Sequence, residues 1–364
     1  IISGAGVFRK EGSGTLTLSG ASTHSGNTEV FEGSLVVNES LSDSTVVDVS
    51  SGATYTLGKS DTIGGLEGAG SVNLNSNELT VSQSATNATF SGIISGSSSS
   101  SDFRKAGSGT LILSGANTYQ GNTSVDAGVL SVSGSLNDST IVDVSATATY
   151  RLGSSDTIGG LTGAGSVDLN SNELTVSQSA TSATFSGIIS GSTSTSHLKK
   201  AGSGTLILSG ANTYQGNTFV DAGYLNVTGS LPDSSVVSVS SGANYALGEP
   251  DTIGGLLGAG SVDLNGYELT INQSASEATF SGIISGSSVS SDLRKQGTGK
   301  LIFSGDNDYE GSTFVDAGVL SISGAPNNFS DIVVSSDAVL EYDYSSSQSY
   351  SGDISGSGGL RKIS

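Results

Sequence analysis

The sequence lacks most of the side chains from which catalytic and metal sites are built. Its 364 residues include no cysteine, methionine or tryptophan and only two histidines. Disulfides and thiolate chemistry are thereby excluded, and proton carriers and nitrogen ligands for metals are almost absent. Proline occurs three times, whereas glycine occurs 53 times, about twice its average share. This composition is more typical of an extracellular structural protein than of an enzyme.

Positive charge is scarce as well. The chain has 33 acidic and 13 basic residues and a net charge of −20, which argues against nucleic acid and anionic membrane surfaces as partners. Its apolar runs are only a few residues long, far below the roughly 20 residues of a membrane-spanning helix. We therefore expect no nucleic-acid partner and no direct membrane insertion by this chain. Because the chain begins and ends inside a repeat, we expect it to be a piece of something longer.

A repeat of 95 residues dominates what the sequence does contain. The segment GSGTLTLSG (12–20) returns as GSGTLILSG at 107 and 202 and as GTGKLIFSG at 297. The repeats are 12–106, 107–201, 202–296 and a shortened 297–364. Within each repeat, short apolar alternations are separated by Gly, Asn, Asp and Ser turns, which predicts strands and no helix. The pattern indicates an all-β repeat architecture.

The shortened fourth copy distinguishes between two all-β architectures. A 95-residue repeat could be one immunoglobulin-like sandwich, or several coils of a parallel β-solenoid. The fourth copy omits the stretch that reads DTIGGLLGAGSVDLNGYELT in the third. A sandwich that lost these strands would be ruined, whereas a solenoid that drops one coil still stacks. The sequence therefore predicts one continuous β-solenoid over 1–364, with about four or five coils per repeat. Because neighbouring strands in a sheet are about 4.8 Å apart, successive coils are expected to stack at that spacing.

The repeats also resemble a known family. The segments 110–132 and 205–227, TLILSGANTYQGNT(S/F)VDAG(V/Y)L(S/N)V, are similar to the autotransporter-associated β-strand repeat of Gram-negative passenger domains. Copy one departs from that motif at His24, and copy four departs at Lys300 and Asp306. The resemblance implies a right-handed single-stranded parallel β-helix that is exported across the outer membrane to the bacterial cell surface. It also implies an adhesin or a self-association factor.

Basic residues are concentrated at one place in the repeat. Five pairs hold ten of the 13 positive charges, just after the Ser-rich linker that follows FSGIISG. One interpretation is that solvated pairs keep the start of this strand soluble. The alternative is that they contact the acidic flank of a second copy of the chain. The candidate association residues are Arg104, Lys105, Lys199, Lys200, Arg294 and Lys295.

Aromatic residues suggest a second kind of contact surface. Phe219, Tyr224 and Phe314 stand where other copies have residues such as serine or glutamate, so we expect them to face solvent. Exposed rings on a polar surface could stack on sugars or on another copy of the chain. By contrast, Tyr119 and its equivalents Tyr214 and Tyr309 are predicted to be structural, with each hydroxyl reaching a backbone group.

Two sets of acidic residues raise the question of metal binding. The run Asp306-Asn-Asp308-Tyr-Glu310-Gly matches the start of an EF-hand loop, but position 12 is Ala317 instead of the required glutamate. An ordinary acidic turn is favoured, with calcium as a weak alternative, and no other cofactor is predicted. A second set of acids recurs at the repeat offset and is expected to form turns: Asp61, Asp156 and Asp251.

The repeated character of the acids also argues against catalysis. A catalytic site is normally a single irregular constellation, whereas these acids recur in every full copy. We therefore predict a non-enzymatic adhesin that binds another copy of itself, in cell aggregation or biofilm, or a host surface protein or glycan. The first alternative is a passive stalk that displays a tip outside this chain. The second is a polysaccharide-active enzyme.

Overall fold

The computed structural model describes residues 1–84, 87–179, 182–324, 331–344 and 349–363. The chain divides into two compact units, Ile1–Ser177 (unit 1) and Gln178–Ser364 (unit 2). The described residues form 45 short strands joined by turns, and they contain no helix. The all-β prediction is confirmed.

The strands of unit 1 are mostly three or four residues long. They are β1 (Phe8–Lys10), β2 (Thr15–Leu18), β3 (Thr28–Val30), β4 (Ser34–Val37), β5 (Val46–Val49), β6 (Thr54–Leu57), β7 (Asp61–Ile63), β8 (Gly65–Gly68), β9 (Ser71–Asn73), β10 (Leu79–Ser82), β11 (Ala88–Phe90), β12 (Ile93–Ser95), β13 (Phe103–Ala106), β14 (Thr110–Leu113), β15 (Thr123–Val125), β16 (Gly128–Val132), β17 (Ile141–Val144), β18 (Ala148–Leu152), β19 (Asp156–Ile158), β20 (Gly160–Gly163), β21 (Ser166–Asp168) and β22 (Leu174–Ser177).

Unit 2 continues the same pattern of short strands. They are β23 (Ser182–Phe185), β24 (Ile188–Ser190), β25 (Leu198–Ala201), β26 (Thr205–Leu208), β27 (Thr218–Val220), β28 (Tyr224–Val227), β29 (Val236–Val239), β30 (Asn244–Leu247), β31 (Asp251–Ile253), β32 (Gly255–Gly258), β33 (Ser261–Asp263), β34 (Leu269–Asn272), β35 (Glu277–Phe280), β36 (Ile283–Gly286), β37 (Leu293–Gln296), β38 (Lys300–Phe303), β39 (Asp308–Tyr309), β40 (Thr313–Val315), β41 (Gly318–Ile322), β42 (Asp331–Val334), β43 (Ala338–Tyr342), β44 (Asp353–Gly356) and β45 (Gly359–Lys362).

Within each unit, the strands pair in parallel with strands one turn away along the chain. In unit 1, Phe8 pairs with Thr28, and Thr28 pairs with Val47. In unit 2, Leu198 pairs with Thr218 in the same way. Parallel pairing needs a long crossover, and here the remaining strands of the same turn supply it. Each unit is therefore a parallel β-solenoid, and the predicted fold class is confirmed.

A repeat does not contain a whole number of turns. The ladder that begins at β1 runs β1-β3-β5-β8-β11-β14, so its fifth step reaches β14. The equivalent of β1 in the second copy is β13, which belongs to the sheet β7-β10-β13-β15-β17-β20. Unit 2 behaves identically, because the ladder from β25 reaches β38 at its fifth step and not the equivalent β37. Within each unit, a repeat is one strand position short of five turns, and the matching strands of its two copies lie in different sheets.

The stack continues through the shortened fourth copy. Strand β42 pairs directly with β44, and β43 pairs directly with β45. Residues 331 and 353, which these pairings join, are one turn apart along the chain. A solenoid tolerates this loss because each turn contacts only its neighbours. This pairing agrees with the interpretation that the fourth copy lacks a coil of a solenoid, as opposed to part of a closed domain.

Apolar side chains fill the interior of both units through simple alternation. Leu35, Leu130, Leu225 and Leu320 are all fully buried, as their period-2 placement predicted. Full burial of each such side chain stabilises the fold by about 1.5–3 kcal/mol. The preceding outward position, occupied by Ser34, Val129, Tyr224 or Val319, is at least partly exposed in every copy.

Stacked glycines allow the backbone to turn tightly at one corner of unit 1. A Cβ atom added to Gly92 would lie 1.7 Å from the carbonyl oxygen of Gly70, and one added to Gly115 would lie 1.9 Å from that of Gly92. Such distances are impossible for any side chain, so glycine is required where successive turns approach each other. This accounts for the glycine of the recurrent SG pairs.

Candidate functional site

In the pairs at 104–105, 199–200 and 294–295, the second residue is a lysine that lies inside the solenoid. Strand β13 alternates inward and outward from the buried Phe103, which places Arg104 outward and Lys105 inward. Lys105, Lys200 and Lys295 have no exposed surface. Their burial lowers the pKa of each of these three ammonium groups to about 8.

Backbone carbonyls bind each buried ammonium. Nζ of Lys105 donates to the carbonyl oxygens of Ala106 at 2.8 Å, Gly107 at 2.8 Å and Ala127 at 3.0 Å. Gly107 has a φ of 74°, which a residue with a side chain rarely adopts. The Lys-x-Gly motif thus places a cation and a left-handed residue together, and the contact with Ala127 joins one turn to the next. Lys200 and Lys295 make the same three contacts in unit 2.

These contacts correct part of the association hypothesis. Lys105, Lys200 and Lys295 were predicted to present charge to a neighbouring chain, and that prediction is wrong because each ammonium is buried and already makes three hydrogen bonds. The strand alternation that starts at Phe103 was the available signal. An association role stays a prediction only for the outward members Arg104, Lys199 and Arg294.

The outward basic residues are paired with acids of neighbouring turns. Arg104 lies 2.6 Å from Asp126 and 3.5 Å from Glu78. Arg294 repeats the arrangement, at 2.8 Å from Asp316 and 3.1 Å from Glu268.

Lys199 forms the corresponding contact in copy three, 2.6 Å from Asp221. All these groups are partly exposed, so each pair contributes only about 0–1 kcal/mol. The outward charges are largely balanced within the chain itself.

Within each unit, the basic sites of consecutive repeats lie in different sheets. In unit 1, Arg9 lies on β1 and Arg104 lies on β13, in two different sheets. In unit 2, Lys199 on β25 and Arg294 on β37 are separated in the same way. A flat partner laid against one sheet therefore does not meet the basic sites of consecutive repeats side by side.

The three predicted aromatic contact residues occupy two kinds of environment. Phe219 and Phe314 are half-buried on the outer face. Phe219 packs edge-on against His197 with ring centroids 5.4 Å apart, and the Arg294 guanidinium lies 4.4 Å from the centre of the Phe314 ring. Tyr224 is 53% exposed. Tyr224 is thus the most accessible of the three.

A buried carboxylate recurs in each full copy. Asp156 accepts hydrogen bonds at Oδ2 from the backbone N–H of Leu136 and from the Tyr150 hydroxyl, both at 3.2 Å. It also lines an open pocket with Asp138 and Glu173. Asp61 and Asp251 accept the equivalent hydrogen bonds, each from a backbone N–H 20 residues earlier and from a tyrosine hydroxyl six residues earlier.

These aspartates join turns to one another, which is more than the local turn role predicted for them. Burial is the main cause that raises the pKa of Asp61, and it raises the pKa of Asp156 and of Asp251 to about 6.

The motif tyrosines are structural, but their hydroxyl partners differ from the prediction. Tyr119 is fully buried and its hydroxyl hydrogen-bonds the Thr123 hydroxyl at 2.6 Å, not a backbone group. In copy one, His24 replaces the tyrosine, and its Nε2 lies 2.8 Å from the Thr28 hydroxyl. The departure from the family motif therefore preserves the hydrogen bond. Burial lowers the pKa of His24, and its Nδ1 is shielded without a partner.

The calcium alternative falls on an extended segment. Asp306, Asp308 and Glu310 are exposed and alternate with the buried residues Asn307 and Tyr309. Asn307 accepts a hydrogen bond from the backbone N–H of Ile284 at 2.8 Å. This strand-like alternation differs from the tight loop of an EF-hand. Among the described ranges, no group of three or more His, Cys, Asp or Glu side chains is placed to hold a metal ion.

One exposed apolar residue per full copy was missed in the sequence. Ile93, Ile188 and Ile283, the first isoleucine of FSGIISG, are 45–47% exposed, whereas the second isoleucine is buried. Strand alternation across the Ile-Ile pair was the available signal. The part of the chain that the structure describes has no helical segment with the length and hydrophobicity of a membrane span.

Comparison with known proteins identifies the repeat. The Passenger-associated-transport-repeat family model matches residues 8–37, 103–132, 198–227 and 293–322. Each match begins at the strand that carries the basic pair. The Adhesin BmaC autotransporter of Brucella suis biovar 1 (strain 1330) is 32% identical over 386 residues, a match that spans 93% of this chain and 11% of that protein. No solved structure matches the chain.

These findings agree with the architecture. The buried lysine, the left-handed glycine and the tyrosine–threonine contact all fall within the matched residues. As a passenger, the chain is exported across the outer membrane and exposed at the bacterial surface. The chain thus carries four passenger-associated-transport repeats and is similar over most of its length to part of an autotransporter adhesin, which supports an autotransporter passenger built from such repeats.

Proposed function

We propose that this passenger segment is a non-enzymatic adhesive surface that binds its target through outward side chains of its sheets. One observation carries the proposal: the interior repeats faithfully, while the outer face diverges. Leu35 and its three equivalents are identical and buried, whereas the adjacent outward position changes from Ser34 to Val129, Tyr224 and Val319. A passive spacer has no need of exposed aromatics such as Phe31 and Tyr224, which are 52% and 53% exposed. The similarity to an autotransporter adhesin supports the same proposal.

The environment of the acidic residues favours binding over catalysis. Asp126 pairs with Arg104, and Asp156 accepts hydrogen bonds from a tyrosine and a backbone N–H. These contacts join successive turns and recur between copies. They support a structural role for these carboxylates. An enzyme that acts on polysaccharides would instead use a pair of carboxylates as acid and base.

We favour a foreign surface molecule over a second copy of the chain as the partner. The outward basic residues Arg104 and Arg294 are balanced by acids of the same chain, and within each unit the basic sites of consecutive repeats lie on different sheets. Two chains of net charge −20 would repel each other. Sedimentation of the purified chain at low and high salt tests this preference. A dimer that forms at low salt and dissociates at high salt would favour self-association instead.

Coated beads separate the functional classes in one experiment. Beads carrying the chain should adhere to host cells or to immobilised host glycans and matrix proteins, while beads carrying an unrelated acidic protein should not. Clumping of the coated beads with one another would indicate self-association. Dispersed, non-adherent beads would support the passive stalk and contradict the proposal. Release of sugar from polysaccharides would support the enzyme alternative.

A further inference from the structure

The outer face of the third copy carries a cluster that the other copies lack. Tyr224, Asn226 and Asn244 replace Val129, Ser131 and Thr149 of the second copy. The first copy has serine, valine and threonine at these positions, and the fourth has valine, serine and valine. The other copies form the same strands without these three side chains, so a local departure in the third copy points to a role other than folding.

The three side chains lie together on two adjacent strands of one sheet. Tyr224 on β28 pairs in register with Asn244 on β30, and Asn226 stands two residues after Tyr224 on the same face. The column on either side consists of Thr205 and Ser261. The 53% exposed ring of Tyr224 therefore has hydroxyl and amide groups as its direct cross-strand neighbours, while Ile207 and Ala246 flank Asn226 on the same face.

The side-chain oxygens of the two amides lack hydrogen-bond partners. Oδ1 of Asn226 and Oδ1 of Asn244 are each shielded from solvent and accept no hydrogen bond. A shielded acceptor without a donor is unfavourable. The threonines, serines and valines of the other copies avoid this problem, so the scaffold itself does not need the amides. Such local departures from a stable arrangement are expected at functional sites.

We propose that Tyr224, Asn226 and Asn244 form a binding site for a neutral saccharide. The face of a sugar ring packs on the Tyr224 ring, and the two amides, which present either a donor or an acceptor after a half-turn about the side chain, bind its hydroxyls. This inference rests on the proposed adhesive function and names the class of molecule that one site recognises.

The size and polarity of the site favour a saccharide over a protein. Protein interfaces bury extended patches with several apolar anchors, whereas here Tyr224 is the one strongly exposed ring, and its direct cross-strand neighbours are Thr205 and Asn244. The next exposed apolar residue in the column is Ile283, three strands from Tyr224. Strands are about 4.8 Å apart, close to the length of one sugar residue, so a short oligosaccharide lying across the strands could follow the column. Asp263, two residues after Ser261, disfavours acidic sugars.

Variants taken from the chain's own second copy test the site without foreign side chains. Tyr224→Val, Asn226→Ser and Asn244→Thr together convert the cluster to the second-copy residues. The matched reciprocal variant is Val129→Tyr, Ser131→Asn and Thr149→Asn, which builds the cluster on the second copy. The urea midpoint of each variant is compared with that of the wild type to confirm that both fold.

Binding is measured on an array of neutral hexose and N-acetylhexosamine oligomers beside sialylated and uronate-containing ones, with calorimetry on the best binder. We expect neutral oligomers to bind the wild type, a loss of roughly tenfold or more in affinity in the first variant, and a stoichiometry of two in the reciprocal variant. The inference is overturned if only acidic oligomers bind, if no oligomer binds, or if the first variant binds like the wild type.

The bead assay keeps this inference separate from the proposed function. Beads carrying the Tyr224→Val, Asn226→Ser, Asn244→Thr variant that still adhere as well as the wild type would overturn the saccharide site while leaving the adhesive function intact. Wild-type beads that adhere to nothing would contradict the proposed function itself, and adhesion only to protein or to a second copy of the chain would overturn the saccharide assignment.

Discussion

Replacing Lys200 with methionine should destabilise the contact between the two turns that contain strands β25 and β27. Nζ of Lys200 donates to the carbonyl oxygens of Ala201 at 2.7 Å, Gly202 at 2.8 Å and Ala222 at 3.0 Å. Methionine keeps most of the volume of the side chain but donates no hydrogen bond. The Lys200→Met variant therefore leaves three carbonyls without their donor at the junction of strands β25 and β27.

The magnitude follows from two opposing contributions. A hydrogen bond to a charged group stabilises by about 1.5–3 kcal/mol, and three are lost. Against this, burial lowers the pKa of Lys200 to about 8, which corresponds to a desolvation penalty of about 3 kcal/mol that the variant no longer carries. The net destabilisation is then about 2–6 kcal/mol.

Lys199 provides a matched control on the same strand. Its ammonium is partly exposed and pairs with Asp221, so Lys199→Met should destabilise by only about 0–1 kcal/mol. Amide hydrogen exchange suits a solenoid because it reports each turn separately, whereas global unfolding of repeat proteins departs from two-state behaviour.

We expect protection of Leu198–Ala201 and Thr218–Val220 to fall by roughly 30-fold to 10⁴-fold in the Lys200 variant, with little change in the Lys199 variant. Equal losses of amide protection in the two variants would refute the view that the buried ammonium of Lys200 holds these two turns together.

Three further predictions concern the recurrent buried groups. The folded-state pKa of Asp156 and of Asp251, about 6, exceeds the unfolded value of about 3.9, so the stability that their protonation contributes is complete below about pH 4 and is lost as pH rises through about 6. The urea midpoint should therefore be higher at pH 5 than at pH 7. Replacing both aspartates with asparagine should reduce that difference between the two pH values. Gly92→Ala should disrupt its turn because the added Cβ would lie 1.7 Å from a carbonyl oxygen, while Gly14→Ala, with open space around it, should change the melting temperature little; a similar loss in both variants would contradict the stacked-glycine corner. His24→Tyr should raise stability by about 1–3 kcal/mol, because it removes the unpartnered Nδ1 and restores the motif residue; a lower urea midpoint would show that the imidazole is preferred there.

Much of the fold could be predicted because its information is local. The apolar alternation of segments such as TLILSG sets strand and orientation together, and Leu130 and Leu225 point inward as expected. The shortened fourth copy indicated a stack of independent coils, and the direct pairing of β42 with β44 agrees. The same alternation, applied to the FRKA strand, would have placed Lys105 inside. The error came from treating both members of a basic pair as surface charge.

The site could be predicted only in part because its partners are distant in sequence. Tyr224 was identified from a comparison of copies, since a position that varies among equivalents is an outward position. Its neighbour Asn244 lies 20 residues later, and only the register of β28 and β30 brings the two together. The pairing of Arg104 with Asp126 depends in the same way on the length of one turn.

By itself, the sequence determined the repeat, the strands, the inward residues and the resemblance to autotransporter passenger repeats, because each of these depends on short-range patterns. Only the tertiary structure decided which residues of different turns meet and which sheet each copy occupies. The physical reason is that the position of a strand around the solenoid is the accumulated result of every preceding turn. In each unit that sum leaves a full repeat one strand short of five turns, so the equivalent side chains of consecutive repeats, such as Lys199 and Arg294, are presented by different sheets.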